Sequence, residues 1–511
     1  VNVLLPLPFA LPLAGGALSL LVRRSAGLLR ALSMAVLAGL VAVAVAVAAA
    51  VARHGVISVQ AGDWPAPLGI TLVADRLSAL MLVVSTVVLL AIMIYAVGEG
   101  VVGHTESEPS LFYPVYLTLA AGVCLSFLAG DLFNLFVGFE VMLVSSHVLM
   151  TLAPNPARMH AGMTYTVTSL TSSILFLTAI GFTYAATGTV NLADLSVRTE
   201  NLPPGLRAAL AVMFLVVFGI KGAVVPLHLW LPDSYPVAIT KITAIFAALL
   251  TKTAVYALIR TQTLLFPLQE ASALMLVLAA LTLLVGMLGA LVQHDIHRVL
   301  SFTLVGHIGF MVFGLALFSV AGLAGALLYL VHHIVVQATL FLVSDIMQEE
   351  TGHTSLDRLG GLAKTSTLTA VLFFVPAMSL SGIPPLSGFV AKLALLQAGF
   401  GSGRALAYLV AGVAVAASLL TLVAMSRVWT LAFWRPRPSG APPPETRGEP
   451  EPSRQVRYSH LLVRAVTAGM VLLGLAVAVL AGPLTSWTLQ AAGDLLDRTA
   501  YRQAVLGEEA P

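Results

Sequence analysis

Three of the five lysines in this chain, Lys221, Lys252 and Lys392, lie inside long apolar runs, whereas the 21 arginines sit mostly in the connections between runs. An ammonium gives up its proton when desolvated and a guanidinium does not, so lysine is the side chain for handling protons away from water. Arginine would serve solubility or topology equally well. Glu140, in DLFNLFVGFEVMLVSSHVLM, is the acidic residue well inside an apolar run of the N-terminal half, and it is the natural counter-charge of Lys221. Paired, both stay ionised; parted, the lysine loses its proton more easily. The competing reading is a static pair that only holds helices together.

Two of these lysines stand beside proline breaks. In VVFGIKGAVVPLHLWLPDSYP, residues 216–236, Lys221 precedes Pro226; in VPAMSLSGIPPLSGFVAKLALL, residues 375–396, Pro384 and Pro385 precede Lys392. Pro226 cannot donate to the carbonyl of Gly222, and Pro384 and Pro385 cannot donate to those of Leu380 and Ser381. Each break therefore leaves polar backbone groups that need water or a partner. A lysine at membrane depth costs about 2.5–3.5 kcal/mol unless it faces the protein interior or water, so lysine and break together make a hydrated polar spot. The reversed order of lysine and proline is what two inverted repeats would give.

The remaining titratable groups extend the series. Lys252, in FAALLTKTAVYALIR, has no acidic neighbour in sequence and is a better candidate for a transferable proton than Lys221. The alternative is that it snorkels toward the Arg260 end, about two turns away. LLYLVHHIVVQATLFLVSDIMQEE holds His332, His333 and Gln337. Adjacent helical residues point about 100° apart, so one histidine is expected to line a path; His333 is favoured because it shares a face with Gln337. His147, seven residues after Glu140 on the same face, extends the path, and His228 (in the first broken stretch) and His307 (in SFTLVGHIGFM) are further candidates. For any single histidine an interhelical hydrogen bond is the plain alternative. Metal binding by the adjacent pair lacks a carboxylate or third ligand at suitable spacing. A proton relay through Glu140, Lys221, Lys252, His333 and Lys392 is the economical explanation of the whole series.

The elements that position these groups are membrane helices. The 511 residues are 59% hydrophobic and 10% charged, with a mean hydropathy of +0.97, beyond what a soluble domain carries. Apolar stretches recur from Leu4 to Leu489, roughly fourteen by length, continuous rather than alternating, so helices are expected and strands are not. The first run carries Arg23 and Arg24 after its apolar part, unlike a secretory signal, and is expected to be a retained helix with its N-terminus outside. Lys and Arg favour the odd-numbered connections (Arg23, Arg24, Arg30, Arg158, Lys241, Arg298, Arg358, Lys364 and the run from Arg435 to Arg457), which are therefore expected to be cytoplasmic. The expected organisation is about three helices in 1–109, two inverted five-helix repeats in 110–262 and 268–434, a disordered Pro-rich cytoplasmic linker in 435–457, and a last helix with its tail in 458–511. Charge is +3 with no basic block, which points away from nucleic acid. The single cysteine, Cys124, makes neither an internal disulfide nor an iron–sulfur site, and no cofactor or metal is expected.

The stretches FNLFVGFEVMLVSSHVL, GIKGAVVPLHLWLPDSYPVAIT, FAALLTKTAVYALIR and LSGIPPLSGFVAKLALL resemble the antiporter-like proton-translocating subunits of Mrp-type multisubunit cation/proton antiporters and of respiratory complex I. LPDSYPVA followed by LLTKTAVYALIR, with TYAATGTVNLADLS before it, is more similar to the D-type Mrp chains than to the complex I chains. The resemblance covers about residues 110–400. It implies fourteen helices with inverted five-helix repeats, a glutamate–lysine pair at Glu140 and Lys221, a central lysine at Lys252 and a terminal one at Lys392. It also implies work inside a hetero-oligomeric complex of a prokaryotic cell membrane, exchanging Na⁺, Li⁺ or K⁺ for H⁺. One departure is Gln337, where related chains often carry a lysine. Either water and His333 bridge that gap to Lys392, or this half conducts poorly.

Three functions compete. The first is an ion-translocating antiporter subunit, a transporter rather than an enzyme; the second is a proton-pumping subunit of a complex I-like or hydrogenase-type redox assembly; the third is a membrane scaffold. No dense carboxylate cluster suited to a dehydrated Na⁺ lies inside the apolar runs, so its ligands are expected partly from another subunit.

Overall fold

The computed structural model describes residues 3–99, 111–152, 154–266, 271–437 and 460–507. The chain is a bundle of helices in the order α1 (Leu7–Leu21), α2 (Ala26–His54), a hairpin of β1 (Ile57–Gln60) and β2 (Thr71–Ala74), α3 (Arg76–Glu99), α4 (Phe112–Leu128), α5 (Leu132–Met150), α6 (Pro156–Thr187), the short α7 (Leu192–Arg198) and α8 (Pro204–Lys221). After α8 come the short α9 (Trp230–Ser234) and α10 (Thr240–Ile245), then α11 (Thr251–Leu264), α12 (Ser272–Val292), α13 (Ile296–Ala316) and α14 (Val320–Thr351). The chain ends with α15 (Leu362–Thr365), α16 (Thr367–Ser381), α17 (Ser387–Gly401), α18 (Ala405–Trp429), α19 (His460–Val479), α20 (Ala481–Leu496) and α21 (Thr499–Leu506). Among the described residues eleven helices are long and apolar enough to cross a membrane, and Leu7–Leu21, Phe112–Leu128 and Thr367–Ser381 are shorter apolar ones.

Local sequence sets the helix starts. Ser25, Asp131, Asn155, Asp295 and Ser319 each accept the N–H three residues on, satisfying a donor that the helix itself leaves open. Tertiary packing decides which helices lie inside. The span windows of Thr240–Leu264 and α14 are wholly buried, whereas those of α2, α6 and α19 are mostly open. On α6, Val167, Ile174 and Phe182 are exposed, an apolar face of the kind that meets lipid. α14 is the hub: α3, α10, α13, α16, α17, α19 and α20 all pack on it. Lys252 and His333 thus stand on wholly buried helices, whereas Glu140 and Lys221 stand on α5 and α8, which are about half buried.

The structure departs from expectation in three places. The hairpin pairs Ile57 with Ala74 and Gln60 with Thr71, antiparallel, in a connection where the chain leaves the apolar region and strands can pair. Arg260 is not at an open helix end: it is buried in α11 and donates from Nη1 and Nη2 to Asp75, at 2.6 and 2.8 Å, while also reaching Ser78 and Tyr256. Lys241, expected in a connection, is buried in α10 and paired with Glu99 at 3.1 Å. Both ion pairs join residues more than 140 positions apart, which is why a local reading misplaced the two cations. Most of the Pro-rich segment 435–457 lies outside the described residues, as do residues 508–511.

Candidate proton path

Four polar centres stand out inside the bundle among the described residues. The first joins α5, α6 and α8. Lys221 Nζ donates to Ser173 Oγ at 3.1 Å, and the Ser173 hydroxyl donates to Glu140 Oε1, so one hydroxyl links the lysine and the glutamate. Phe139 presents its ring to the ammonium, 5.2 Å from the centroid. α8 stops at Lys221, five residues ahead of Pro226, and Ala223 adopts a left-handed φ of 55°. A non-glycine residue in that region carries strain of about 1–3 kcal/mol, held by its surroundings. Trp230 Nε1 takes up the Ile220 carbonyl at 2.9 Å, and Thr282 of α12 receives the Val225 N–H at 3.1 Å, fixing the broken stretch. His228 is buried there, its Nδ1 without a partner among the described residues.

The second centre is Lys252, fully buried on α11. A π-helical turn over Phe246–Leu250 precedes it, and Nζ donates to the Ala247 carbonyl at the start of that turn. The lysine therefore bonds back along its own helix, away from Arg260, which removes the snorkelling alternative. A π turn leaves carbonyls out of the regular ladder and is frequent at functional sites. A cavity of about 30 Å³ beside Lys221 reaches Tyr165 and Leu250, linking the first centre to this turn and giving room for water.

The third centre sits on α13 and α14. His307 accepts or donates through Nδ1 with Tyr329 at 2.6 Å and through Nε2 with Thr421 at 3.1 Å. The His333 ring lies 5.4 Å from that of His307, and neither of its nitrogens has a partner among the described residues. His333 is within electrostatic reach of Lys252, His307, His332 and Lys392. His332 instead turns toward α17, with Nδ1 2.9 Å from Ser387 Oγ, which is 3.1 Å from Ser379 Oγ. Gln337 donates to the Leu300 carbonyl at 2.8 Å, holding α14 to α13.

The fourth centre is Lys392, buried on α17, donating to the carbonyls of Leu380 at 2.8 Å and Ser381 at 3.1 Å. These are the two carbonyls that Pro384 and Pro385 deprive of helical donors. Phe310 faces the ammonium at 4.9 Å. Gly388 permits the approach of α17 to the end of α16, since a Cβ there would meet the Ser379 carbonyl oxygen at 1.8 Å.

Of the residues singled out in the sequence, His333 is brought to His307, with ring centroids 5.4 Å apart, and Glu140 is brought to Lys221 through Ser173. His147 stands apart, edge-on to Tyr165 at 5.1 Å. Sequence reasoning missed Ser173, which joins Lys221 to Glu140, and also Tyr329 and Thr421, which hydrogen-bond His307, and Ser387, which hydrogen-bonds His332. A serine or threonine hydroxyl in an apolar helix usually bonds its own backbone, so nothing local marks Ser173, Thr421 or Ser387. No group of three His, Cys, Asp or Glu side chains suited to a metal occurs among the described residues.

Residues 129–430 match the family described as NADH:quinone oxidoreductase/Mrp antiporter, transmembrane. The D-type subunit of the Na⁺/H⁺ antiporter of Alkalihalophilus pseudofirmus is 38% identical over 99% of this chain and 100% of its own length. Its counterpart of the same name in Bacillus subtilis is 34% identical, covering 98% and 99%. A chain of the Mrp complex from a Dietzia species superposes with a TM-score of 0.88 at 33% identity, covering 98% of this chain and 99% of that one. A chain of an archaeal membrane-bound sulfane sulfur reductase superposes with a TM-score of 0.87 at 22% identity, covering 99% and 100%, a likeness of fold alone.

Proposed function

The chain belongs to the NADH:quinone oxidoreductase/Mrp antiporter family, and from that membership we propose that it is the ion-translocating subunit of a multisubunit Na⁺/H⁺ antiporter in a prokaryotic plasma membrane, passing protons along a relay of Glu140, Lys221, Lys252, His333 and Lys392. It is a transporter subunit rather than an enzyme, and its partners are the other chains of the complex. The observation that carries the relay is His333, buried, with both ring nitrogens unpartnered among the described residues and its ring 5.4 Å from that of His307. A buried imidazole takes a proton on one nitrogen and yields it from the other, the property a relay needs between two lysines.

Two inverted units, 110–262 and 268–434, are supported by the matching place of the discontinuity, which follows α8 in the first and α16 in the second, each the fourth helix of its unit when the short α7 and α15 are left out. With the N-terminus outside, the hairpin and α21 lie at the outer face and Lys241 and Glu99 at the cytoplasmic one. A proton entering from outside would leave to the cytoplasm in exchange for Na⁺, whose ligands are supplied partly by a neighbouring subunit.

The test is Na⁺-dependent, ΔpH-linked exchange in vesicles carrying the complete complex, with Glu140→Ala, Lys221→Ala and His333→Ala compared with wild type at matched assembly. Loss of exchange in the assembled variants is expected. Full exchange in all three would make the chain a scaffold.

A further inference from the structure

We propose that the Ser173 hydroxyl is itself a proton-carrying member of the path, the obligatory link between Lys221 and Glu140. The inference rests on the relay reading above and adds to it a residue with no charge of its own. Ser173 stands on α6, a helix that contributes no titratable residue to the series, and its side chain is buried. Its two hydrogen bonds have opposite senses: it accepts from Lys221 Nζ at 3.1 Å and donates to Glu140 Oε1. That polarity is the arrangement a hydroxyl needs to pass a proton.

The step balances without any other reactant. One N–H bond of the Lys221 ammonium breaks as a new O–H bond forms on Ser173; the original Ser173 O–H breaks as its proton joins the Glu140 carboxylate. A charged pair becomes a neutral amine, an intact hydroxyl and a neutral carboxylic acid. The hydroxyl now points back at Lys221 and must turn about its Cβ–Oγ bond before it passes another proton, so each transfer needs one rotation. The bridge also keeps ammonium and carboxylate from direct contact, weakening an attraction that rises steeply at short range in a low dielectric. A directly paired lysine would hold its proton more firmly.

The neighbouring Ser172 supplies the control. It is buried on the same helix, but its hydroxyl donates to the Val217 carbonyl at 3.0 Å and touches neither charged group.

The experiment measures Na⁺/H⁺ exchange in vesicles with the complete complex for Ser173→Ala, Ser173→Thr and Ser172→Ala beside Glu140→Ala and Lys221→Ala, with assembly checked in each. Loss of a positioned proton carrier should slow Ser173→Ala by about tenfold or more, while Ser173→Thr, which keeps the hydroxyl, stays within about threefold of wild type and Ser172→Ala is unchanged. Wild-type exchange in Ser173→Ala, with Glu140→Ala and Lys221→Ala inactive, overturns the hydroxyl link and leaves the relay standing. Equal slowing by Ala and Thr overturns it too, since shape rather than the hydroxyl would then matter. Retained exchange in Glu140→Ala and Lys221→Ala removes the relay and the link together.

Discussion

Lys392 donates to the main-chain carbonyl of Leu380 at 2.8 Å, the carbonyl that Pro384 leaves without a helical donor. The proline break and the lysine are thus two halves of one device. The break supplies the acceptors that make a buried ammonium tolerable, and the lysine satisfies backbone groups that could not stay bare inside a membrane. When the lysine gives up its proton those carbonyls lose one donor hydrogen, so protonation and the local structure of the break are coupled.

Lys392→Arg separates charge from proton transfer. A guanidinium keeps the charge and can donate to both carbonyls, yet it does not release a proton. The complex should assemble normally, and exchange should fall on the order of a hundredfold, the usual loss when a proton-transfer group is removed. Exchange near the wild-type rate in the arginine variant would mean that Lys392 acts only as a fixed charge.

Gly382 holds the space Lys392 occupies. It lies at φ 90°, and a Cβ there would stand 2.9 Å from Lys392 Cδ. Gly382→Ala should cost about 1–3 kcal/mol in backbone strain and push the lysine off its carbonyls. Thermal melting of the detergent-solubilised complex and the exchange rate should both fall; an unchanged rate would show that the lysine does not need this position.

The Asp75–Arg260 pair is a structural bond in which each partner protects the other. Both side chains are 4% exposed. Arg260→Met alone should destabilise by about 3–5 kcal/mol because it strands a buried carboxylate, and the double variant Asp75→Leu/Arg260→Met should recover much of that loss. Melting temperatures of the four combinations decide it: a double variant no better than the single would show that the pair is uncoupled.

Asp131 gives a pH signature. It caps α5 through the Asn134 N–H at 2.6 Å, and burial pushes its carboxyl from 3.8 up to about 6 against the main-chain donors that pull it down. Because its folded value is raised, the folded chain holds the proton more tightly than the unfolded one. Its contribution is most favourable below about pH 4 and is lost as pH rises through 6. Asp131→Asn keeps a cap acceptor and never ionises. It should melt above wild type at pH 8, by an amount reflecting about 2–3 kcal/mol, with the gap closing near pH 4. A gap that does not change with pH would exclude ionisation of Asp131 as its cause.

Much of the candidate path was legible in the sequence because a membrane makes every polar residue conspicuous. Glu140, Lys221, Lys252 and Lys392 each stand out in a run where ionised side chains are expensive, and the three prolines mark where the backbone must open. Leu380 and Ser381 were legible as acceptors in search of a donor, since the geometry of a proline fixes which carbonyls it frees. The π turn before Lys252 carries no proline or glycine and could not be read in this way.

Local hydropathy and the covalent geometry of proline were enough to establish the membrane-helical class, the two breaks and the identity of the charged groups. Which partners the buried polar groups meet was settled by packing in three dimensions. Ser173 reaches Glu140 from 33 residues away, Thr421 reaches His307 from 114, and Asp75 reaches Arg260 from 185. Such contacts depend on the depth and rotation of each helix against its neighbours. Those quantities are set by packing around α14 and leave no mark in the local pattern of either partner.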